Sequence, residues 1–174
     1  MTNTARAHSL PGRAIAVLLG IAAAVATVTP AQAAPNGATT IQAQVDAYHA
    51  KHPGGVQVGA ADIAYDGGRF VVTIARTSST ALSGADCPSG WYCFYDGINF
   101  AYPRGRLSDC GYQDLATWGW RNRTESAAYN LSTGSVTFVD TATYTNLFTV
   151  STTARSNANV GAGRNRADTV YRNC

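Results

Sequence analysis

The chain has 174 residues, of which 45% are hydrophobic and 13% are charged, and its formal net charge is +3. This length allows one globular domain, or one domain with a small additional element. Two of the thirteen basic residues, Arg6 and Arg13, lie in the N-terminal segment, and without them eleven basic residues face ten acidic ones. The charge therefore gives no reason to expect a nucleic acid or a membrane surface as a partner.

The first 33 residues predict a secretory signal peptide. A basic start precedes an apolar run over residues 14–28, and Ala-Gln-Ala at positions 31–33 fits the cleavage site of such a peptide. The run is short for a membrane span, and no later stretch of the sequence is apolar enough to cross a bilayer. We therefore expect residues 1–33 to be removed and the mature chain to be secreted and extracellular.

Residues 34–80 predict a small leader element, a helix followed by a β-hairpin. Thr-Thr-Ile-Gln at positions 39–42 fits a capping box that would begin a helix, and Pro-Gly-Gly at positions 53–55 would end it. Asp-Gly-Gly at positions 66–68 predicts a tight turn between two alternating strands. The leader is too small to bury much core alone, so it either packs on the later domain or is removed. The polar residues 81–86 predict a linker.

Residues 87–174 predict a β-domain, because they are rich in glycine, threonine, asparagine and aromatic residues and lack a sustained helical period. Alternating or apolar stretches at 91–95, 136–139 and 147–150 predict strands, and turn residues separate them at short intervals. This pattern is typical of a β-sandwich.

An internal repeat divides this domain into two halves. Arg-Asn-Arg-Thr-Glu-Ser at 121–126 matches Arg-Asn-Arg-Ala-Asp-Thr at 164–169, an offset of 43 residues. The aromatic pair Phe94 and Phe100 matches Phe138 and Tyr144, an offset of 44 residues. Agreement of two separate pieces on one period predicts two tandem four-stranded units that pair to bury a common core. The two Arg-Asn-Arg boxes could bind an anionic partner, although a structural role is the preferred interpretation.

The four cysteines predict two disulfides, because an even number in an exported chain indicates pairing. Zinc is disfavoured, since the spacings lack a paired C-x-x-C and no histidine lies nearby in sequence. His49 and His52 fall on the predicted leader helix with only Asp46 as a neighbouring carboxylate. We therefore predict no metal site and no cofactor.

The sequence gives no pattern for a catalytic site. A Ser-His-Asp arrangement would have to use one of the two leader histidines, and paired cysteines cannot act as nucleophiles. Four acidic residues of the β-domain could meet in space, but their spacing does not indicate it, and turn or capping roles are the preferred interpretation: Asp96, Asp109, Asp114 and Glu125. We predict that the protein is not an enzyme.

Two aromatic residues a few positions apart and followed by a polar box, a pattern present twice, resemble the βγ-crystallin Greek key. Cys-Pro-Ser-Gly-Trp-Tyr-Cys-Phe-Tyr at positions 87–95, together with Asn99, Asn122 and Asn130, is similar to the secreted bacterial proteins of peptidase inhibitor family 36. The resemblance covers residues 87–174 and implies a mainly β, βγ-crystallin-like double Greek-key sandwich. Because the family's founding members inhibit thermolysin-like metalloproteinases, it also implies a secreted proteinase inhibitor whose partner is a secreted protease, with a metalloproteinase as the target that the family's pattern favours.

The sequence departs from the family pattern at several positions. Tyr102 stands where the first Greek key usually has glycine. The polar boxes have Arg121 and Glu125, and then Arg164 and Asp168, where the calcium-binding form has Asn or Asp and Ser or Thr. Because an arginine beside a cation site opposes binding, calcium is not expected.

The resemblance also bears on disulfide pairing. The family's opening favours Cys87–Cys93, which leaves Cys110–Cys174. A hairpin bend near residues 98–99 would instead place Cys87 opposite Cys110 and leave Cys93 with Cys174. The first pairing is preferred, because Pro-Ser-Gly at 88–90 can turn the chain back.

The hairpin loop beside Pro103 carries the predicted contact with a partner. A loop stiffened by proline and flanked by disulfides loses little entropy on binding, and tyrosine and arginine are common at binding hot spots. We therefore expect Asn99, Tyr102, Arg104 and Arg106 of a monomer to contact the protease.

An alternative function is a non-inhibitory βγ-crystallin-type binding or structural module for cell-wall glycan or for another protein. Aromatic residues between positions 91 and 120 could form a sugar-binding platform, although core packing is the preferred interpretation for most of them. These residues are Trp91, Tyr92, Tyr95, Phe100, Tyr102, Tyr112, Trp118 and Trp120.

Overall fold

The computed structural model describes residues 37–77 and 84–174, and the predicted signal peptide lies outside these residues. One helix, α1 (Gly37–Lys51), precedes eleven strands in the described part of the chain. The strands are β1 (Val56–Gln57), β2 (Asp62–Tyr65), β3 (Phe70–Thr73), β4 (Tyr92–Tyr95), β5 (Arg104–Leu107), β6 (Gly111–Asp114), β7 (Ser126–Tyr129), β8 (Ser135–Asp140), β9 (Thr145–Ser151), β10 (Ser156–Asn157) and β11 (Thr169–Asn173). No helix among these residues is long and apolar enough to cross a membrane.

The strands form two antiparallel sheets, which confirms the predicted mainly β class and fits a β-sandwich. The larger sheet has the order β1-β2-β3-β5-β4-β7-β10, and the smaller has the order β6-β11-β8-β9. The first repeat supplies β4 to β7 and the second supplies β8 to β11. The third strand of each half pairs with a strand of the other half: β6 pairs with β11, and β10 pairs with β7. These two exchanged strands interlock the halves.

The main core lies between the two sheets, where strand alternation places every second side chain. Phe94 is fully buried there, and its ring centroid lies 5.3 Å from that of Trp120 and 5.9 Å from that of Phe138. A second, smaller cluster contains Cys93 and Tyr95, which alternate with Phe94 and therefore lie on the outer face of the larger sheet.

The leader hairpin extends the larger sheet. Strand β3 pairs with β5, with Val71 opposite Arg106 and Thr73 opposite Arg104. The turn at Asp66–Gly68 joins β2 to β3, as the glycines predict. Removal of residues 34–80 would therefore uncover the hydrogen-bonding edge of β5.

The start of the leader helix differs from the prediction. The capping box would begin the helix at Thr39, whereas α1 begins at Gly37, so Thr39 lies inside its first turn. The helix ends at Lys51, two residues before Pro53, as predicted. Val45 and Tyr48 are buried against the main core, so tertiary packing holds the helix on the sheet.

The two repeated boxes bind each other through their backbones. The Asn122 amide donates to the Ala167 carbonyl at 2.8 Å, and the Asn165 amide donates to the Thr124 carbonyl at 3.0 Å. Both asparagines have left-handed φ angles, 58° and 55°, a conformation that asparagine accepts more readily than most residues. The boxes thus form a local pseudo-twofold contact at the centre of the duplication.

The arginines at the third position of the boxes have equivalent partners. Arg123 binds Asp96 at 2.7 Å in the first half, and Arg166 binds Asp140 at 2.7 Å in the second. Arg123 also lies over the Trp120 ring, 4.3 Å from its centroid. These pairs favour the structural interpretation of the boxes, since each arginine already neutralises a carboxylate of its own half.

The structure pairs Cys87 with Cys93 and Cys110 with Cys174, the pairing preferred on sequence. The first disulfide fastens residues 84–91, which we call the strap, against the outer face of the larger sheet. The Asn130 side chain donates to the Cys87 carbonyl at 2.8 Å and holds the same segment. The second disulfide joins the end of the chain to the β5–β6 connection.

Candidate functional site

The loop between β4 and β5, residues 97–103, is the candidate site. It contains a short 3₁₀ turn at Ile98–Phe100. Three of its side chains are exposed: Ile98, Asn99 and Ala101. Ile98 exposes 38% of its surface and gives the tip an apolar contact. The loop therefore offers a partner one branched aliphatic side chain beside one amide.

Hydrogen bonds from both halves of the molecule hold the loop backbone. The Asn99 amide donates to the Ala158 carbonyl at 2.7 Å. The Phe100 amide donates to the Ser126 hydroxyl oxygen at 3.1 Å, and that hydroxyl donates to the Gly97 carbonyl at 2.6 Å. Ser126 thus satisfies two backbone groups of the loop, as a short side chain with one donor and two lone pairs can do.

Two consecutive residues of the loop have left-handed backbones, Asn99 with φ 54° and Phe100 with φ 61°. This conformation is costly for a bulky residue and persists only where the surroundings hold it. The Phe100 ring packs edge-on against Tyr95 at 5.4 Å, and Tyr95 packs against Tyr102 at 6.2 Å. The loop is therefore a fixed shape supported by an aromatic base.

Asp86 fastens this aromatic base to the strap. Its carboxylate accepts hydrogen bonds from the hydroxyls of Tyr95, at 3.0 Å, and of Tyr102. Arg104 lies 3.2 Å from the same carboxylate, and Arg76 lies 3.7 Å from it. The sequence predicts only a polar linker at Asp86, whereas the folded chain uses its carboxylate to join the strap, β4, the loop and β5.

The protonation states in this cluster follow from burial and charge. Burial alone would raise the pKa of Asp86, but the hydrogen bond from Tyr102 and the charge of Arg104 outweigh it and hold the pKa below its ordinary value. Burial and the hydrogen bond to Asp86 raise the pKa of Tyr102 to about 12. At neutral pH the carboxylate is therefore ionised and the phenol remains a donor.

The two arginines of the predicted contact set bind groups within the molecule. Arg104 is only 5% exposed, and it donates to the Asp86 carbonyl at 2.6 Å. Arg106 lies over the Trp91 ring, 5.3 Å from its centroid, and 3.8 Å from an Asp62 oxygen. Both guanidinium groups are used inside the molecule, because strand alternation directs them onto the face that the strap covers.

The other two predicted contact residues lie on the loop but differ in accessibility. Asn99 is exposed at the tip, whereas Tyr102 is half-buried and its hydroxyl binds Asp86. Ile98 and Ala101 were not predicted. The signal that could have found Ile98 is its position between Gly97 and Asn99, two residues typical of turns.

A cleft of about 490 Å³ lies between α1 and the base of the loop. Burial, followed by the charges of Arg123 and Lys51, lowers the pKa of His52 in this cleft, so the imidazole is neutral at neutral pH. The cleft's lining residues are Gln44, Ala47, Tyr48, Lys51, His52, Ile74, Tyr102, Pro103 and Arg123. Among residues 37–77 and 84–174, no three His, Cys, Asp or Glu side chains meet as a metal site would require.

The acidic residues considered for a catalytic pair bind separate partners. Asp96 binds Arg123 and Asp114 binds Arg121. The remaining two bind other groups again: Asp109 binds Arg69, and Glu125 accepts from Asn165. The structure does not bring these carboxylates together as an acid–base pair.

Comparison with known families supports the resemblance seen in the sequence. The model of Peptidase inhibitor family I36 matches residues 80–151. The match contains the strap, the candidate loop and the first repeated box. No curated protein and no solved structure matches the chain.

Proposed function

We propose that the protein is a secreted peptidase inhibitor that binds its target through residues 97–103. The observation that carries this proposal is a loop whose exposed tip stands on a hydrogen-bonded and aromatic base. A loop already held in one conformation loses little entropy when it binds, so more of the contact energy contributes to affinity.

Ile98 is the proposed anchor of this contact. It is the large apolar side chain at the loop tip, and it would enter a hydrophobic subsite of the protease while Asn99 contacts the rim. The favoured target is a metalloproteinase, on the resemblance to the inhibitor family. Similarity to a family of inhibitors also favours a protein without enzymatic activity of its own.

An extracellular location agrees with this role. Disulfides form and persist in oxidising compartments, and both cysteine pairs of the chain are joined. The predicted signal peptide supports the same location, and mass spectrometry of the secreted protein would identify the mature N-terminus.

Inhibition constants for the mature chain against thermolysin-like, serine and cysteine proteases test the proposal. We expect inhibition of the metalloproteinase, and we expect Ile98→Ala to raise the inhibition constant about tenfold, as loss of 1.4 kcal/mol of contact would do. Val56→Ala is the matched control, because Val56 is an aliphatic side chain, 66% exposed, on the edge strand β1.

The two parts of the proposal fail in different ways. Absence of inhibition of all three protease classes at micromolar concentrations would refute the inhibitor function. Inhibition that Ile98→Ala leaves unchanged would keep the function but show that another surface makes the contact.

A further inference from the structure

The outer face of the smaller sheet carries two adjacent exposed tyrosines. Tyr112 on β6 and Tyr171 on β11 are 72% and 40% exposed. Their ring centroids lie 4.7 Å apart, with 44° between the ring planes. The neighbouring residue Val170 points into the core, so alternation along β11 fixes Tyr171 on the opposite, outer side.

The tyrosines belong to a row that crosses all four strands. Tyr171 lies opposite Tyr112 on one side and opposite Thr137 of β8 on the other, and Thr137 lies opposite Thr149 of β9. The two threonine hydroxyls are 2.9 Å apart. Three intervals between neighbouring strands make the row about 14 Å long. We call these four residues the tyrosine–threonine row.

The tyrosine–threonine row itself carries no charged side chain. The acidic side chain on the exposed face of β6, Asp114, lies 3.1 Å from Arg121, and Arg121 also lies 3.4 Å from the buried Asp168, which precedes β11. The neighbouring outward positions along the strands are uncharged, as with Ser135 and Asn173. The row therefore complements a neutral ligand rather than a polyanion or a polycation.

We infer that the tyrosine–threonine row binds a neutral polysaccharide chain. The two rings would stack on the apolar C–H faces of successive sugar units, since tyrosine combines an apolar face with a polar tip. The hydroxyls of Thr137 and Thr149 would exchange hydrogen bonds with sugar hydroxyls. Threonine is β-branched and tyrosine has only two side-chain torsions, so these side chains lose little conformational entropy when they bind a ligand.

A second copy of the chain fits this surface less well. A stable protein interface requires more than about 1,000 Å² with an apolar centre. Here the two rings are followed by short hydroxyl side chains, which suit a narrow, hydroxyl-rich polymer.

The row lies on the side of the sandwich opposite the candidate loop. Residues 97–103 pack on Tyr95, on the outer face of the larger sheet, whereas the row lies on the outer face of the smaller sheet. Binding of a polysaccharide would leave the loop free, so the protein could be held on a glycan while its loop engages a partner.

Native affinity electrophoresis of the mature chain tests this inference, with hydroxyethylcellulose and galactomannan as neutral probes and alginate as the charged comparison. We expect at least one neutral polymer to retard the protein and alginate not to do so. Tyr112→Ala with Tyr171→Ala should weaken the retardation about tenfold, and Thr137→Val should weaken it about fivefold.

Matched variants separate ring stacking from general effects. Tyr112→Phe with Tyr171→Phe keeps both rings and should retain most of the binding. Val56→Ala with Val58→Ala removes exposed apolar surface at β1 and directly after it and should change nothing. Circular dichroism verifies that each variant is folded.

Several results would overturn the inference. These are no retardation by either neutral polymer, equal retardation of the wild type and the double alanine variant, or retardation by alginate alone. A wild-type dimer in sedimentation that the double alanine variant abolishes, without any polysaccharide binding, would assign the face to self-association instead.

Discussion

The two halves of the duplication contain equivalent hairpins, which differ in how the aromatic residue of the turn is packed. Phe100 in the first half and Tyr144 in the second occupy equivalent positions, with left-handed φ angles of 61° and 52°. Phe100 packs on Tyr95, whereas Tyr144 is 90% exposed. Val139 stands where the first half has Tyr95, so the second half lacks the aromatic base that would receive the ring.

The outer faces of the two sheets differ in the same sense. On the larger sheet the strap, its disulfide and Asp86 cover the outer face and leave the loop tip as the accessible part. On the smaller sheet Tyr112 and Tyr171 remain accessible on the sheet itself. The comparison shows how one duplicated backbone can provide two surfaces, a rigid loop and a flat face, because the covering segment is attached to only one of them.

The largest expected effect concerns the two disulfides. Cys110→Ala with Cys174→Ala should lower the free energy of unfolding by about 4 kcal/mol, and Cys87→Ala with Cys93→Ala by about 2 kcal/mol, because the closed loops differ in length. The sequence separations are 64 and 6 residues. Urea unfolding of both variants measures the difference.

Comparing the two losses of unfolding free energy distinguishes a disulfide that links the two halves from one that holds only a local segment. Cys110–Cys174 ties the first half to the last strand of the second, whereas Cys87–Cys93 holds only the strap. An equal or larger loss on removal of Cys87–Cys93 would mean that the strap contributes more to stability than the loop-closure entropy predicts.

The next largest expected effect is the loss of stability on substitution of Asp86. It tests whether the strap stabilises the first half through the charge of this carboxylate. Asp86→Asn should lower the free energy of unfolding at pH 7 by about 2 kcal/mol, since it weakens hydrogen bonds to a half-buried charged group. The folded state holds the pKa of Asp86 below its ordinary value. The wild-type advantage is therefore complete above the unfolded pKa of about 3.9 and is lost as the pH falls through the lower folded pKa.

Unfolding at pH 7 and at steps from about pH 4 to about pH 2 measures this advantage, with Asp66→Asn as the exposed control. A difference between wild type and Asp86→Asn that stays constant over the acidic steps would contradict the role of the ionised carboxylate.

Much of the fold could be predicted because its signals are local. Alternation of side chains and the glycine turn at Asp66–Gly68 predict the strands and the leader hairpin, and the repeat predicts the four strands of each half. The start of α1 lies two residues before the predicted Thr39, a difference within the range over which helix boundaries are defined.

The site was less predictable because its accessibility depends on distant residues. Arg104 is a residue type common at hot spots, but it is buried through Asp86, 18 positions earlier in the chain. The reverse holds for Ile98: an apolar residue is expected in the core, but the hydrogen-bonded loop holds Ile98 at the surface. Tyr171 joins Tyr112 only through the register of β6 and β11, which no short motif specifies.

The smallest effect tests the hairpins at a single equivalent position. Tyr144→Gly should raise the free energy of unfolding by about 0.5 kcal/mol, because glycine relieves the left-handed strain and the lost side chain is 90% exposed. Phe100→Gly should lower it by about 1 kcal/mol, because the lost burial of the ring exceeds the same relief. Tyr144→Ala keeps the strain while removing the ring and should leave stability within about 0.5 kcal/mol of wild type. Thermal unfolding of the three variants measures the sign of each change in the free energy of unfolding.

A loss of stability in both Tyr144 variants would show that the Tyr144 ring supports the second hairpin, and the contrast between a packed and an unpacked aromatic residue in the two hairpins would then no longer hold.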